Sequence, residues 1–236
     1  VPAGASVTFL AVGQGDAVVV RDGPHTMLVD GGREPAVLHA ALRRQGVGAV
    51  DLLVVTHGDL DHVGGLEGFL RGRRVGRLWV ADQPTLGDAL DALIAEAEAG
   101  GVPVERGRRG ATTQLGRVRV TVLGPSRRYL SDNDGSVVLW AESGGATLLL
   151  PADIEATAQR ELAPLAPDVM LVPHHGSATS DLDWIAATAA PVAVISVGRN
   201  RFGHPSPDVV ATLEASGAQV LTTLDDGDVV VPLRPP

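Results

Sequence analysis

The positions of apolar and polar residues along the chain predict a mixed α/β protein. Short apolar runs that end at Gly, Pro or Asp are typical of strands, and the first three are expected at 5–12, 16–21 and 25–30. Apolar residues three and four positions apart predict helices, most clearly in DALDALIAEAEAGG at 88–101, which glycines close. Further strands are predicted at 52–55, 77–80, 102–105, 117–123, 136–141, 146–150, 168–172, 192–197, 219–223 and 228–232, and further helices at 34–45, 62–70, 154–163, 181–189 and 207–216.

The order of these elements predicts how they pack. The early strands follow one another and are typical of antiparallel pairing, whereas the later strands alternate with helices. Two mixed sheets packed face to face, with the helices on the outside, accommodate both patterns in a single domain over residues 1–236. A chain of 236 residues can bury a substantial core, and 44% hydrophobic with 20% charged residues is ordinary for a globular protein.

Composition excludes several kinds of chemistry. The chain has no cysteine, so disulfides, thiolate metal sites and cysteine nucleophiles are ruled out. No apolar run approaches the roughly 18 residues of a membrane span, and the start has no signal-peptide pattern. Because the chain begins with Val1 and not with Met, we expect it to be a piece of a longer protein or a processed form.

Charge is unevenly distributed along the chain. The net charge of −9 argues against a protein that coats nucleic acid with its whole surface. Residues 71–128 nevertheless contain 11 Arg against 6 Asp and Glu, while the rest of the chain contains 8 Arg against 22 acidic residues. These arginines are either solvated loop residues or a basic surface that contacts phosphates. In the second interpretation Arg73, Arg74, Arg108 and Arg109 bind the substrate.

One segment concentrates potential metal ligands. In DLLVVTHGDLDHVGG the predicted strand 52–55 leads directly into His57, Asp59, Asp61 and His62. Alternate residues of the loop after the strand can point to the same side of the chain. Asp61 and His62 then lie in the first turn of the following helix, so all four side chains can converge on divalent ions. An Asp that only caps the helix is the alternative, but a cap does not account for two histidines beside it.

The same segment resembles a known family signature. THGDLDHVGG is similar to the H-x-[HD]-x-D-H motif of the metallo-β-lactamase fold, an αββα sandwich with helices outside two mixed sheets. With Asp59 at its third position, the motif looks like that of the hydrolase-like domain of ComEC competence proteins, which conduct DNA across the bacterial inner membrane. The likeness extends over nearly the whole chain through FLAVGQGDAVVV (9–20), LVDGG (28–32), SDNDGSVVL (131–139), LLLPADIE (148–155), LVPHHGS (171–177) and NRFGHPSPDVV (200–210).

Two departures from the family pattern concern the site. Ala11 stands where the family usually has Asp, so a role of that acid in metal binding or water activation is in doubt. The fold's usual third-motif histidine is absent near 131–136, so the first metal position is expected either to be weak or to be completed by His174 or His175.

The residues and the resemblance together assign roles. Asp153 is either a helix cap or a ligand, and adjacent His174 and His175 cannot both point the same way from an extended chain. The metal ligands are therefore predicted as His57, Asp59, Asp61, His62, Asp153 and His175, and the catalytic residues as Asp61, His174 and His204, with His204 either a last ligand or a phosphate contact. Asp30 and Asp16 are predicted to orient ligands. Substrate contacts are further expected from Asn133, Ser136, Ser177, Asn200 and Arg201.

This ligand set predicts two divalent ions and phosphodiester hydrolysis. Hard carboxylate oxygens favour Mn²⁺, and Zn²⁺ remains possible. The family resemblance implies a nuclease that degrades one DNA strand during uptake, acting on single- or double-stranded DNA beside the rest of a membrane-embedded channel. We expect a soluble, monomeric domain of an inner-membrane protein, on the extracytoplasmic side. The alternatives are a hydrolase of a small ester, lactone or β-lactam, and a non-catalytic DNA-binding domain that braces the channel.

Overall fold

A computed structural model describes residues 4–83, 87–188 and 190–234. The strands of this part of the chain are β1 Ala5–Phe9, β2 Val18–Asp22, β3 His25–Val29, β4 Ala49–Val50, β5 Leu52–Val55, β6 Arg74–Val75, β7 Leu78–Ala81, β8 Val104–Gly107, β9 Thr112–Leu115, β10 Val118–Gly124, β11 Val138–Ser143, β12 Ala146–Leu150, β13 Val169–Leu171, β14 Val192–Ile195, β15 Gln219–Thr222 and β16 Val229–Pro232. The helices are α1 Pro35–Arg44, α2 Leu60–Val63, α3 Phe69–Gly72, α4 Asp88–Ala99, α5 Ala156–Glu161, α6 Leu182–Thr188, α7 Pro207–Ala215 and α8 Thr223–Asp226, with 3₁₀ turns at Gly64–Leu66 and Pro173–Gly176.

The described strands form two seven-stranded sheets and one small ladder of β4 with β6. The first sheet has the order β16-β1-β2-β3-β5-β7-β8 and the second has the order β15-β14-β13-β12-β11-β10-β9. In the first sheet, β16 to β3 pair antiparallel and β3 to β8 pair parallel. In the second, β9 to β12 pair antiparallel and β12 to β15 pair parallel. The prediction of two mixed sheets is therefore confirmed.

The core shows how the layers are stacked. Alternate residues of a strand face opposite sides of its sheet. Leu148 and Leu150 of β12 belong to a buried cluster that includes both sheets, whereas Leu149 belongs to a second cluster with Trp184 of α6 and Leu213 of α7. One face of the second sheet therefore packs on the first sheet, and the other face packs on helices.

The helix predicted at 62–70 is wrong as a continuous element. The chain instead forms α2, a 3₁₀ turn and α3. The helical dihedrals end at Glu67, with ψ of 121°, and at Gly68, with a left-handed φ of 69°. In the turn before this break, a Cβ on Gly65 would lie 2.0 Å from the carbonyl oxygen of Gly31, and one on Gly64 would lie 2.5 Å from that of Arg33. Only glycine allows this close approach of two backbones. The short strands β4, β6 and β9 and the helix α8 were not predicted, and residue 189, the predicted end of α6, lies outside the described residues.

Loops that leave parallel strands of both sheets carry the predicted site residues. Asp30 follows β3, His57 follows β5, Asp153 follows β12, and the 3₁₀ turn with the paired histidines follows β13. Parallel strands end at one edge of a sheet, so these loops meet at the same end of the sandwich. In the described residues, no helix is both long and apolar enough to cross a membrane.

Candidate metal centre and active site

Hydrogen-bond partners orient the His57 ring through Nδ1, and Nε2 is left without a partner among the described residues. Its Nδ1 lies 3.1 Å from Thr56 Oγ1 and 3.2 Å from Ser136 Oγ. The side chain is buried, and its Nε2 has no hydrogen-bond partner in the described part of the chain. Asp59 Oδ2 lies 3.6 Å from this nitrogen. Ser136, which the sequence assigned to substrate, is fully buried and contacts the histidine instead.

His62 is oriented by Asp30. Its Nδ1 lies 2.9 Å from Asp30 Oδ2, and the same carboxylate accepts hydrogen bonds from Thr56 N at 2.8 Å and Thr56 Oγ1 at 2.7 Å. A carboxylate only accepts hydrogen bonds, so Nδ1 of the ring must carry a proton and Nε2 is the nitrogen left to bind a metal. Nε2 faces Asp153 Oδ2 at 3.3 Å.

Asp153 lies at the centre of the cluster. Its Oδ2 is 3.3 Å from His62 Nε2, 3.4 Å from His175 Nε2 and 3.7 Å from His174 Nε2. Asp153 does not cap α5, because Asp134 Oδ1 accepts the backbone N–H groups of residues 155 and 158 at 2.9 and 3.2 Å. Asp59 stands at the N-cap position of α2 but makes no capping hydrogen bond. Neither acid therefore serves as the simple helix cap that the sequence left open.

The paired histidines do not lie on an extended chain, so the reasoning that separated them was wrong in its premise. His174 and His175 both have left-handed backbone conformations, with φ of 48° and 54°. Their rings lie 5.9 Å apart at 73°, and both border Asp153. His175 is buried, with Nδ1 2.9 Å from the Ser196 carbonyl oxygen. His174 is partly exposed, with Nδ1 3.2 Å from Glu155 Oε1. These positions are compatible with the predicted roles, in which His175 binds the metal and His174 faces the substrate.

The carboxylates shift the proton affinities of the site. Burial lowers the pKa of His62 and of His175, but the charges and hydrogen bonds of two carboxylates together outweigh it and raise both pKa values well above the usual range; Asp153 acts on both rings, with Asp30 on His62 and Asp16 on His175. Burial raises the pKa of Asp61, but its hydrogen bond to His175 and the nearby histidine charges bring that pKa down to about 2. Imidazole must lose its proton to bind a metal, so metal binding here competes with protons.

The GQGDA segment closes the cluster from the other side. Asp16 is buried, and its Oδ1 lies 3.3 Å from His175 Nδ1. A Cβ on Gly15 would lie 2.0 Å from the carbonyl oxygen of Asp61, so only glycine lets the two loops touch. Ala11, where the family usually has Asp, donates its backbone N–H to Asp228 Oδ1 at 2.8 Å.

The unpaired atoms of the cluster fit a metal centre. Buried polar groups normally have hydrogen-bond partners. Within the described ranges, the buried atoms near this centre that have none are His57 Nε2, His62 Nε2, His175 Nε2, His204 Nδ1, Asp16 Oδ1 and Asp153 Oδ1. His57, His62 and Asp153 have ligand atoms within 4.8 Å of one another, and so do Asp61, His62 and His175. Mixed imidazole and carboxylate sets suit divalent transition metals.

The arginines of 71–128 are mostly engaged with the protein. Arg108 forms an ion pair with Asp82 at 2.9 Å, and Arg73 donates to the Val47 carbonyl oxygen. Arg71, Arg117 and Arg127 pair with Glu96, Asp22 and Glu161. Arg109 is exposed and borders, with Arg127 and Arg128, an open cavity of about 300 Å³, while Arg74 is exposed on β6. Much of the predicted basic surface is therefore neutralised.

The other predicted substrate residues have mixed positions. Asn200 uses its whole side-chain amide within its own loop, so it has no hydrogen-bond donor left for phosphate. Ser177 is buried against Thr179 Oγ1 at 2.9 Å. Asn133 is half-buried, and its backbone carbonyl oxygen accepts a hydrogen bond from Ser136 N at 3.0 Å.

A cavity that opens at Asp61 was not predicted as a unit. Its volume is about 560 Å³, and its lining includes Asp61, Arg33, Arg199 and Arg201. Of these, Arg201 was predicted to contact substrate and Arg33 was not, although Arg33 directly follows the LVDGG motif. Arg199 and Arg201 have no salt bridge to any described residue, in contrast to Arg108. This cavity joins free positive charge to the metal cluster.

Comparisons agree with the motifs. The family described as Metallo-beta-lactamase superfamily matches residues 10–199. ComE operon protein 3 of Bacillus subtilis is 30% identical over 94% of this chain and 32% of its own length, and Competence protein ComA of Neisseria gonorrhoeae is 31% identical over 93% of this chain and 31% of its own length. This chain thus spans about a third of each of these relatives. The metallo-beta-lactamase fold protein YhfI of Bacillus subtilis superposes with a TM-score of 0.63 at 10% identity, covering 96% of this chain and 99% of that one. The chain therefore belongs to the metallo-beta-lactamase superfamily, and over most of its length it is similar to part of the ComEC-type competence proteins.

Proposed function

We propose that this domain is a metal-dependent nuclease that hydrolyses phosphodiester bonds of DNA. The observation that carries the proposal is the continuity between the two parts of the site. Asp61 belongs to the cluster of candidate metal ligands and also lines the cavity with Arg33, Arg199 and Arg201. Guanidinium groups bind phosphates, so a DNA backbone in this cavity would bring a phosphodiester to the metal ligands.

The site residues divide into holding and reacting groups. His57, His62, His175, Asp61 and Asp153 would hold two divalent ions, with Asp59 at the edge of the first position and Mn²⁺ favoured over Zn²⁺ by the carboxylate oxygens. When bound, such ions polarise phosphoryl oxygens and supply a nucleophile at neutral pH.

Two histidines at the rim would serve in proton transfer and in orienting the substrate. His174 has Nδ1 at 3.2 Å from Glu155 Oε1, and its ring is partly exposed, so it can carry a proton to the leaving oxygen of the cleaved bond. Burial, with the charges of His174 and His175, lowers the pKa of His204. His204 is therefore neutral at pH 7 and can accept a hydrogen bond from substrate or water.

The competence relatives suggest the biological setting. We place the domain in a larger inner-membrane protein, on the extracytoplasmic side, where it acts as a monomer beside a DNA channel and degrades one strand during uptake. The arginines of the cavity favour a polyanion over a small ester, lactone or β-lactam. The unpaired ligand atoms favour catalysis over a domain that only binds DNA or braces the channel.

Metal-by-metal assays test the proposal. Metal-free protein would be reconstituted with Mn²⁺, Zn²⁺ or Mg²⁺ and incubated with end-labelled single- and double-stranded DNA. We expect cleavage that requires a metal and disappears in Asp61→Ala, with a variant such as Asp168→Asn, remote from the cluster, as the positive control. Bound metal without cleavage of any DNA would reject the nuclease and retain the metal centre.

A further inference from the structure

Phe202 is the exposed aromatic side chain of the molecule. The chain has 3 Phe, 3 Trp and 1 Tyr, all within the described residues. Phe202 is 67% exposed. The other six, which are buried or half-buried, are Phe9, Phe69, Trp79, Trp140, Trp184 and Tyr129. A chain that buries nearly all its few aromatic rings leaves this one in water at the rim of the site.

The loop that carries Phe202 is held rigidly. Asn200 Oδ1 accepts the backbone N–H groups of Phe202, Gly203 and His204 at 3.0, 3.1 and 3.1 Å. Asn200 Nδ2 donates to the carbonyl oxygens of Gly198 at 2.9 Å and His204 at 2.7 Å. The amide thus ties together both sides of the loop and fixes the backbone from which the Phe202 ring projects.

The ring faces the same cavity as Arg199 and Arg201, which have no salt bridge to a described residue, and as Arg33, which pairs with Glu34 at 3.9 Å. Phe202, Arg33, Arg199 and Arg201 line the space of about 560 Å³ that opens at Asp61. The Phe202 ring lies 5.8 Å from the His204 ring. An exposed aromatic ring beside unpaired guanidinium groups is the combination by which proteins bind single-stranded nucleic acid, through base stacking and phosphate contacts.

We propose that Phe202 stacks on an unpaired nucleobase beside the scissile phosphate, while Arg199 and Arg201 contact the neighbouring phosphates. This inference rests on the proposed nuclease function, and it names the substrate as a single strand or a frayed end. A base inside a duplex is covered on both faces by its neighbours and cannot reach the ring. The stacking face accepts every base, so little sequence preference is expected.

Binding measurements test the stacking apart from cleavage. The full chain with Mn²⁺ would be mixed with a fluorescent oligothymidylate of about ten nucleotides, and anisotropy would be read before cleavage proceeds. Phe202→Ala should weaken the affinity roughly 5- to 150-fold, the range measured for loss of one stacked base. Phe202→Trp should restore it. Val230→Ala, an exposed apolar residue on β16 away from the cavity, is the matched control and should bind as wild type.

An abasic oligonucleotide separates stacking from loop damage. Wild type should bind the abasic strand as weakly as Phe202→Ala binds the normal strand. Phe202→Ala should bind both strands with the same affinity, because it has no ring to stack on a base. If wild type and Phe202→Ala bind the normal strand with equal affinity, the inference is overturned. It is also overturned if the substitution lowers the affinity for the abasic strand as much as it lowers the affinity for the normal strand. Cleavage is scored separately. Phe202-dependent binding without metal-dependent cleavage rejects the nuclease alone, whereas cleavage with Phe202-independent binding rejects the stacking alone.

Discussion

Asp30 couples the fold to the metal centre, so Asp30→Asn is the most informative substitution. The carboxylate accepts Thr56 N through Oδ1, and accepts Thr56 Oγ1 and His62 Nδ1 through Oδ2. An asparagine amide has one accepting and one donating end. If its NH₂ faces His62, the imidazole must accept through Nδ1, and its proton moves to Nε2, which faces Asp153. If its oxygen faces His62, the NH₂ opposes the N–H of Thr56.

Both orientations carry a cost that can be sized. Loss of the partner that orients a metal-binding histidine typically lowers metal affinity roughly 10- to 100-fold, or about 1.4 to 2.7 kcal/mol. A buried donor left without an acceptor costs about 1–3 kcal/mol of folding stability. We therefore expect Asp30→Asn to fold, to unfold at lower denaturant concentration, and to lose metal affinity by at least tenfold on the scale above.

Competition with a chelator measures the metal affinity, and nitrogen-15 NMR of the imidazoles reports which ring nitrogen of His62 carries the proton. Asp168→Asn is the matched control, because Asp168 Oδ2 accepts Thr147 N and Thr147 Oγ1, both at 2.7 Å, outside the metal cluster. The control should lose stability and keep the metal affinity. Unchanged affinity in Asp30→Asn, with the proton still on Nδ1, would refute the reasoning, and an equal loss in both variants would assign the effect to stability.

Three further predictions concern other charged side chains of the molecule. Asp61→Ala should abolish metal-dependent cleavage and leave the circular-dichroism spectrum and most of the thermal stability of metal-free protein intact, because this partly exposed side chain packs little of the core. Replacing both Arg199 and Arg201 by Ala should raise the KM for single strands and reduce the log–log salt slope of binding by about 0.7 per lost phosphate contact, and an unchanged slope would place the DNA elsewhere. Hydrogen bonds from Arg117 lower the pKa of Asp22 from 3.8 to about 2, so the stabilisation is complete above about pH 4 and is lost as the pH falls through about 2. Urea unfolding should show Asp22→Asn about 1 kcal/mol less stable at pH 7, and this difference should narrow as the pH falls from about 4 through 2.

The parts of the fold that local sequence determines were predictable. The strand predicted at 146–150 has those bounds in the structure, and so does the one at 52–55, because each is a short apolar run between polar or turn-forming residues. The clustering of His57, Asp61 and His62 follows from their spacing at the end of such a strand. The fold class and the family are confirmed, while the metal ligands and their roles stay predictions.

Features that depend on distant contacts were not predictable. The close approach of Gly65 to Gly31, in the turn that follows α2, is a contact across the fold that no local pattern reports. Nor does a local pattern indicate the left-handed turn at His174 and His175, which leads into Gly176, where a Cβ would lie 2.7 Å from the Pro205 side chain. The charge count of 71–128 failed as a guide to the substrate surface, because a count of arginines does not show which of them have carboxylate partners.

The charge of the site makes metal and arginine mutually dependent in DNA binding. Five carboxylates border the buried histidines, those of Asp16, Asp30, Asp59, Asp61 and Asp153. A phosphodiester that approaches the metal-free cluster meets this negative charge, which protonated His62 and His175 offset only in part, within a chain of net charge −9. The cationic rim of Arg199 and Arg201 is too small to reverse that field alone, whereas two divalent ions would add four positive charges and displace the protons of those two histidines, which leaves the centre more positive. DNA affinity should therefore fall further on chelation of the metal than on removal of either arginine, and the arginines should matter most when the metal is bound.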